Sequence, residues 1–287
     1  LVEAEEGLTW ERWRAIFGAA ESLGFESIWI SDHLASPWLP DRRGLEAWVA
    51  LTVAAAETSR VRLGSLVSPA TFRQPGLLGR IAASVQALSG GRLTVGLGLG
   101  WNAAEHQALG IPFPRPAERA RLLARTIAAV RGAAPVLVGG GGTRRTLPIV
   151  AQYADEWNLT TASAEVYAER SAVLARLCAR TGRDPCAIRR SVAVGYLTGR
   201  DAEDITRRAR RMQGWVPPLA AVPLHQVPVA ARAMGWVVGT PAEMVQHLRR
   251  LRAAGIDRVM LGHYDQADLD VLDLVAREIM PHLVDTQ

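Results

Sequence analysis

The feature that most constrains this chain is a repeated alternation of short apolar runs and longer amphipathic segments. The short runs have strand length, and the segments between them place apolar residues at helical spacing. The predicted strands are residues 25–31, 61–67, 93–100, 135–139, 156–160, 188–198 and 257–262. Strands that alternate with helices pair in parallel through right-handed crossovers. The pattern therefore predicts an α/β fold with a parallel sheet.

The number of strands favours a closed barrel. An eighth strand, partly trimmed, is expected before Gly7, and eight strands close a TIM (β/α)8 barrel. The Pro- and Ala-rich stretch from Trp215 to Trp236 has no clear periodicity and predicts a lid or a short excursion before strand 8. An open doubly wound sheet is the alternative, but "SDHLAS" replaces its usual glycine-rich turn. We expect one barrel domain over residues 1–287.

Composition excludes several classes of function. The net charge is +5, and all 33 basic residues are arginines that alternate with acidic residues along helical segments, which favours solvated helix faces over a nucleic-acid groove. Two cysteines form no disulfide framework and have no metal-ligand spacing with the histidines. No run approaches the roughly 20 apolar residues of a membrane span. We expect a cytoplasmic protein without metal, membrane or nucleic-acid partner.

In a barrel the residues just after each strand share one rim, where a site would form. The candidates at these positions are Asp32, His33, Ser68, Pro69, Gly98, Gly100, Trp101, Gly139 to Gly142, Asn158 and His263. His33 could move a proton near a reacting centre, with Asp32 fixing its position. The alternative is an Asp that caps a loop and a His that fills space. "GLGLGW" (96–101) either lets a flat group approach closely or forms a tight barrel corner.

Four successive glycines follow the strand at 135–139 and precede a predicted helix. Backbone amides at such a helix start can bind an anion, and position after a barrel strand favours phosphate over a merely flexible turn. The groups that could contribute are the amides of Gly141, Gly142 and Thr143, the charges of Arg144 and Arg145, and the Thr146 hydroxyl.

Several stretches together resemble the luciferase-like monooxygenase superfamily, and its coenzyme F420-dependent branch most. They are "GFESIWISDH", "RVRLGSLVSPATFRQP", "LSGGRLTVGLGLGWNAAEHQALGIPF", "GGGGTRRTLPIVAQYADEWN" and "GTPAEMVQHLRRLRAAGIDRVML". The resemblance implies a TIM barrel that binds a 5-deazaflavin or a flavin at the carboxyl ends of its strands. It also implies a non-prolyl cis peptide bond between Leu66 and Val67.

The resemblance assigns roles to particular residues. His33 is the implied catalytic residue. The implied cofactor contacts are Asp32, Leu66, Val67, Ser68, Gly100, Trp101, Gly141, Gly142, Thr143, Arg145 and Thr146. The family's glucose-6-phosphate dehydrogenases carry a catalytic Glu where this chain has Trp101, so we do not expect that substrate. Glu156 stands where the family commonly has Gly, and Arg131 to Pro135 replaces a longer family segment that forms part of the pocket wall.

These residues lead to one functional hypothesis and two alternatives. The hypothesis is hydride transfer between coenzyme F420 and a small organic substrate, in a homodimer as the resemblance implies. One alternative is an FMN-dependent monooxygenase that uses reduced flavin and oxygen. The other is a barrel that binds flavin without turnover.

Overall fold

The computed structural model describes residues 1–39, 42–161 and 163–283. The last four residues of the expected domain therefore lie outside the described residues. The strands are β1 (Ser27–Ile30), β2 (Arg62–Ser65), β3 (Ser68–Pro69), β4 (Leu93–Gly98), β5 (Val136–Gly139), β6 (Glu156–Thr160), β7 (Arg189–Thr198), β8 (Val237–Gly239) and β9 (Arg258–Gly262).

Helices follow most strands. They are α1 (Trp10–Ser22), α2 (Ala47–Glu57), α3 (Pro75–Leu88), α4 (Ala103–Ala108), α5 (Pro116–Val130), α6 (Thr146–Tyr153), α7 (Ala164–Thr181), α8 (Ala202–Met212), α9 (Pro217–Ala220), α10 (Val227–Ala233), α11 (Pro241–Ala253) and α12 (Leu269–Glu278). Local chemistry sets their ends: Thr240 and Glu243 form a capping box at the start of α11, and Gly182 ends α7 with φ of 70°.

The sheet is parallel, in the order β1-β2-β4-β5-β6-β7-β9, and it closes on itself through the first two residues. The Val2 amide donates to the Trp29 carbonyl at 2.8 Å on one side. On the other side the His263 amide donates to the Leu1 carbonyl at 2.8 Å. Leu1 and Val2 thus hold the first-strand position, and the predicted TIM (β/α)8 barrel is confirmed.

The core has two layers. Most buried apolar residues lie between the strands and the surrounding helices, among them Trp13, Leu51 and Trp157. A smaller cluster of Trp29, Leu137, Ala193 and Met260 packs together separately from that layer. The alternation of side chains along each strand divides residues between these layers, so a barrel strand is buried on both faces.

The stretch from Trp215 to Trp236 is packed rather than loose. It contains α9 and α10 and leads into β8, which pairs with the last three residues of β7. Its apolar residues form their own buried cluster with α8, which includes Met212, Leu219 and Trp236. Of the two predictions for this stretch, the excursion before the last barrel strand is confirmed. Upstream, five residues join Val130 of α5 to β5, so the short connection predicted there is present.

Candidate functional site

The site is built from loops at the carboxyl ends of β1, β2, β4 and β5. His33 follows β1, and its Nδ1 lies 2.8 Å from Oε2 of Glu105, on the short helix α4 after β4. The other Glu105 oxygen accepts the amides of Leu34 at 2.5 Å and Ala35 at 3.1 Å. Glu105 is 3% exposed. One carboxylate therefore fixes both the His33 ring and the backbone of its loop.

This contact makes His33 a cation at neutral pH. Burial alone would lower the pKa of His33, but the hydrogen bond with Glu105 and the nearby carboxyl groups of Glu5 and Glu3 raise the pKa to about 9. Burial raises the pKa of Glu5 and Glu3 in turn. Burial opposes ionisation of Glu105, yet hydrogen bonds from His33 and two backbone amides lower its pKa. The pair is therefore ionised, and Nδ1 is occupied. Nε2 makes no hydrogen bond to any described residue, so it is the nitrogen that can reach a ligand.

Asp32 and Ser68 lie together and are both fully buried. Asp32 is fully buried, and its Oδ2 accepts the Ser68 hydroxyl and the Arg73 guanidinium, each at 2.5 Å. Arg73 also bonds Oδ1 at 3.0 Å and contacts Glu46. The Asp32 carboxylate is thus engaged by protein donors. Its role as a direct cofactor contact stays a prediction, and its observed contacts anchor the loop that carries His33.

The end of β2 shows why several glycines are required. The peptide bond between Leu66 and Val67 is cis, as the resemblance implied. A Cβ on Gly98 would lie 2.7 Å from a Val67 methyl carbon, and one on Gly139 would lie 2.9 Å from the other. The missing side chains of β4 and β5 thus make room for Val67. Of the two interpretations of "GLGLGW", close packing within the barrel accounts for Gly98.

Gly100 and Trp101 form the next part of the rim. Gly100 has φ of 74°, a conformation that favours glycine, and it packs beside Thr71. The Trp101 ring is 65% exposed and meets the His33 ring edge-on, with centroids 5.5 Å apart. An exposed indole beside a charged imidazole is an apolar wall available to a ligand.

The four glycines at and after the end of β5 have different structural roles. Gly139 accommodates Val67, and Gly140 has φ of 115° where the chain turns out of β5. The Gly142 carbonyl accepts the amides of Thr146 and Leu147, each at 2.9 Å, which starts α6. A Cβ on Gly142 would lie 3.0 Å from the Thr146 hydroxyl oxygen, so these two predicted residues are neighbours.

The amides of the glycine loop fit a phosphate. From Gly141 to Arg145, none of the backbone amides donates a hydrogen bond to another part of the described chain. Most of this loop is exposed, and it leads directly into α6. Unpaired amides at the start of a helix attract an anion. We call residues 141–145 the phosphate loop.

Two further features help to locate the site. A cavity of about 690 Å³ lies along β1 and β9 and includes the rim candidate His263 in its lining, but none of the residues that the resemblance assigned to catalysis or cofactor binding lines it. Among the described residues, no group of His, Cys, Asp or Glu is arranged to hold a metal ion, and no helix is long and apolar enough to span a membrane. The rim residues therefore remain the candidate site.

Sequence reasoning missed Glu105 and Arg73, the two residues that fix the rim loops. Each lies on an element other than its partner's, 72 and 41 residues away along the chain. A weak signal was present for Glu105, because Asn102 caps α4 and Glu105 occupies the third helical position. Helix capping does not reveal that its side chain turns to His33.

Comparison with known proteins identifies the family. An uncharacterized protein of Mycobacterium tuberculosis is 30% identical over 209 residues, which cover 58% of this chain and 73% of that protein. The sequence profile described as luciferase-like monooxygenase matches residues 2–123. The chain belongs to the luciferase-like monooxygenase family. An F420-dependent glucose-6-phosphate dehydrogenase of Kineococcus radiotolerans is 40% identical over 102 residues, 35% of this chain and 30% of that enzyme.

Solved structures of other enzymes share the fold of this chain. An F420-dependent secondary alcohol dehydrogenase, in complex with an F420-acetone adduct, matches with a TM-score of 0.77 at 17% identity, over 99% of both chains. The monooxygenase RslO1 of Streptomyces bottropensis matches with a TM-score of 0.75 at 20% identity, over 96% of this chain and 93% of that one. Structural neighbours of this luciferase-like barrel therefore include both F420-dependent and monooxygenase enzymes.

The coverage of the alignment shows a difference in length between this chain and a relative. The alignment with the Mycobacterium tuberculosis protein runs over 209 positions, yet it covers 58% of the 287 residues here. That relative therefore carries internal residues that this chain lacks.

Proposed function

We propose that this protein is an F420-dependent oxidoreductase that transfers hydride between the coenzyme and a small organic substrate. The observation that carries the proposal is the charged His33–Glu105 pair at the same rim as the phosphate loop. F420, when bound, supplies or accepts a hydride at C5 of its deazaflavin ring. The residues that would hold it are the amides of the phosphate loop and Thr146, with Leu66, Val67 and Gly100 beside the ring.

His33 has the properties that a proton donor requires. Its Nδ1 is tied to Glu105, so Nε2 carries the proton that can move to the substrate atom on which negative charge develops. When the reaction runs the other way, the neutral ring accepts that proton at Nε2. A pKa of about 9 keeps the donor form dominant at neutral pH.

The rest of the rim suits an organic substrate. Trp101 is exposed next to His33, and Trp38 and Leu39 are partly exposed on the loop after β1. Apolar side chains around a single cation exclude water from the reacting atoms and strengthen the interaction of the cation with them. Trp101 also leaves no carboxylate at the position of the catalytic Glu of glucose-6-phosphate dehydrogenases, which argues against that sugar phosphate as substrate.

The decisive experiment compares two cofactors. We expect the purified protein to bind F420 at least about tenfold more tightly than FMN, a difference of about 1.4 kcal/mol, measured by fluorescence titration. A preference for FMN of the same size would overturn the proposal in favour of a flavin-dependent monooxygenase. Binding of F420 without any reduction or oxidation by a panel of ketones, alcohols and enones would favour the non-catalytic barrel. The homodimer and the cytoplasmic location stay predictions.

A further inference from the structure

Two aromatic rings line the inner face of the barrel near the carboxyl ends of β7 and β9. Gly195 and Gly262 pair across these strands, and each lies two residues beyond a side chain of the smaller core cluster, so both face the inside of the barrel. A Cβ on Gly262 would lie 3.0 Å from the Tyr264 ring, and a Cβ on Gly195 would overlap the Trp236 ring. The two rings therefore fill the places that inward side chains of these strands would otherwise take.

The two rings form one unit, which we call the aromatic wall. They are stacked with their centroids 4.8 Å apart and their planes 3° from parallel. Trp236 is buried in the apolar cluster around α8, whereas Tyr264 is only half-buried. Trp236 thus holds Tyr264 from behind, and Tyr264 is the part of the wall that a ligand can reach.

The aromatic wall lies across the barrel mouth from the residues assigned to the cofactor ring. In the closed order of eight strands, β9 is four strands away from β4, so the two strands lie on opposite sides of the barrel. On the β4 side, Gly98 makes room for Val67. A cofactor ring beside Val67 would face Tyr264, and a substrate would occupy the space between them.

The Tyr264 hydroxyl is available to a ligand. Within the part of the chain that the structure describes, it makes no hydrogen bond, and its oxygen is not sealed inside the protein. Burial of the ring and the carboxyl groups of Glu3, Glu5 and Glu6 raise the pKa of Tyr264, so the hydroxyl keeps its proton. Glu3 and Glu5 also act on His33, which places the hydroxyl and His33 in one region of the mouth.

An accessible aromatic ring with one neutral donor suits a planar organic molecule that carries a polar atom. Aromatic pairs attract each other beyond the area that they bury, and a saturated ring gains nothing of this kind. We propose that Tyr264 determines the specificity of the site and selects substrates whose reacting carbonyl or hydroxyl group is attached to an aromatic ring. The Tyr264 ring packs against that ring, and its hydroxyl donates a hydrogen bond to the substrate. This inference rests on the proposed function and names its substrate class.

The experiment compares acetophenone with cyclohexyl methyl ketone, which share one carbon skeleton and differ in whether the ring is aromatic. Dissociation constants are measured by calorimetry on the F420-bound protein, and kcat and KM are measured for reduction of each ketone by reduced F420. We expect wild type to bind acetophenone about fivefold more tightly. Tyr264→Leu should bring the ratio of the two affinities close to one. Tyr264→Phe should keep the ratio but weaken the binding of both ketones about fivefold, with little change in kcat.

Tyr167 provides the matched control. It is stacked on Trp157 with centroids 5.4 Å apart, but it is buried between the sheet and the helices. Tyr167→Leu and Tyr167→Phe should therefore leave the ratio unchanged, and thermal melts compare the folding of all four variants.

Each result has a separate meaning. Equal affinities of wild type for the two ketones, or binding of neither, would overturn the inference and leave the proposed function standing. An unchanged ratio in Tyr264→Leu would also overturn it, and full affinity in Tyr264→Phe would overturn the hydrogen bond. If the protein does not bind F420, the proposed function and this inference fail together.

Discussion

At the residue scale, the proton chemistry depends on the ion pair between His33 and Glu105. Glu105→Gln keeps an oxygen to accept the Leu34 and Ala35 amides but removes the charge beside Nδ1. We expect the pKa of His33 to fall from about 9 toward the ordinary histidine value near 6.5. Titration of the imidazole signals by NMR measures this directly. The basic limb of the pH profile of kcat/KM should move to lower pH with it.

A matched control separates this role from a structural one. Glu57→Gln removes the carboxylate of an exposed pair with Arg14 and should leave the His33 titration unchanged. An unchanged titration in Glu105→Gln would contradict the assigned role, whatever happens to activity.

The same ion pair also makes the free energy of unfolding depend on pH. The folded pKa of His33 is raised, so the folded state holds a proton that the unfolded state loses first. The stabilisation is complete below about pH 6.5 and is lost as the pH rises through about 9. Its size, from that shift, is on the order of 3 kcal/mol.

At the element scale, we predict that the phosphate loop binds an anion. Two substitutions at Gly142 separate the effect of side-chain size from the effect of charge. Gly142→Asp and Gly142→Asn add side chains of the same size close to the Thr146 hydroxyl. Only Asp adds a negative charge beside the unpaired amides, so it should weaken F420 binding about tenfold more than Asn does. Fluorescence titration of both variants, with thermal melts to compare their folding, gives the comparison. Equal losses would mean that the loop does not hold an anion.

Elements differ in how well the sequence alone predicts them. Long apolar runs such as residues 188–198 predicted their strands correctly, because most residues of the run are buried in the strand that forms there. The two-residue strand β3 and the six-residue helix α4 went unpredicted, because neither is long enough to show a period. Glu105 and Arg73 are harder still, since only the closed barrel brings them to His33 and Asp32. Sequence order therefore predicts which loops form the rim, while pairings between loops require the fold.

At the scale of the whole molecule, Arg258 joins three strands at the floor of the barrel, opposite the site. It donates to Glu26 before β1 and, at 2.6 Å, to Glu156 at the start of β6. Its guanidinium lies 5.5 Å from the centre of the Trp29 ring. Arg258 and Glu156 are both buried, so removing one leaves the other charge uncompensated.

Arg258→Met should therefore lower the free energy of unfolding by about 3 kcal/mol in urea denaturation at about pH 8. Burial already raises the pKa of Glu156, and loss of Arg258 raises it further. A raised carboxyl pKa costs stability as the pH rises above about 4.5, so the deficit should shrink toward about pH 5. Glu156→Gln in the same background should recover part of the loss, because it removes the unpaired charge.

The control for the floor is Arg189→Gln, which breaks an exposed pair with Glu26 and should cost less than about 1 kcal/mol. Affinity for F420 should be unchanged in Arg258→Met, because the floor and the phosphate loop lie at opposite ends of the strands. A deficit of similar size at both pH values would contradict the buried-charge account and assign the loss to packing around Trp29. Weaker F420 binding in this variant would show instead that the floor and the rim are mechanically coupled through the strands.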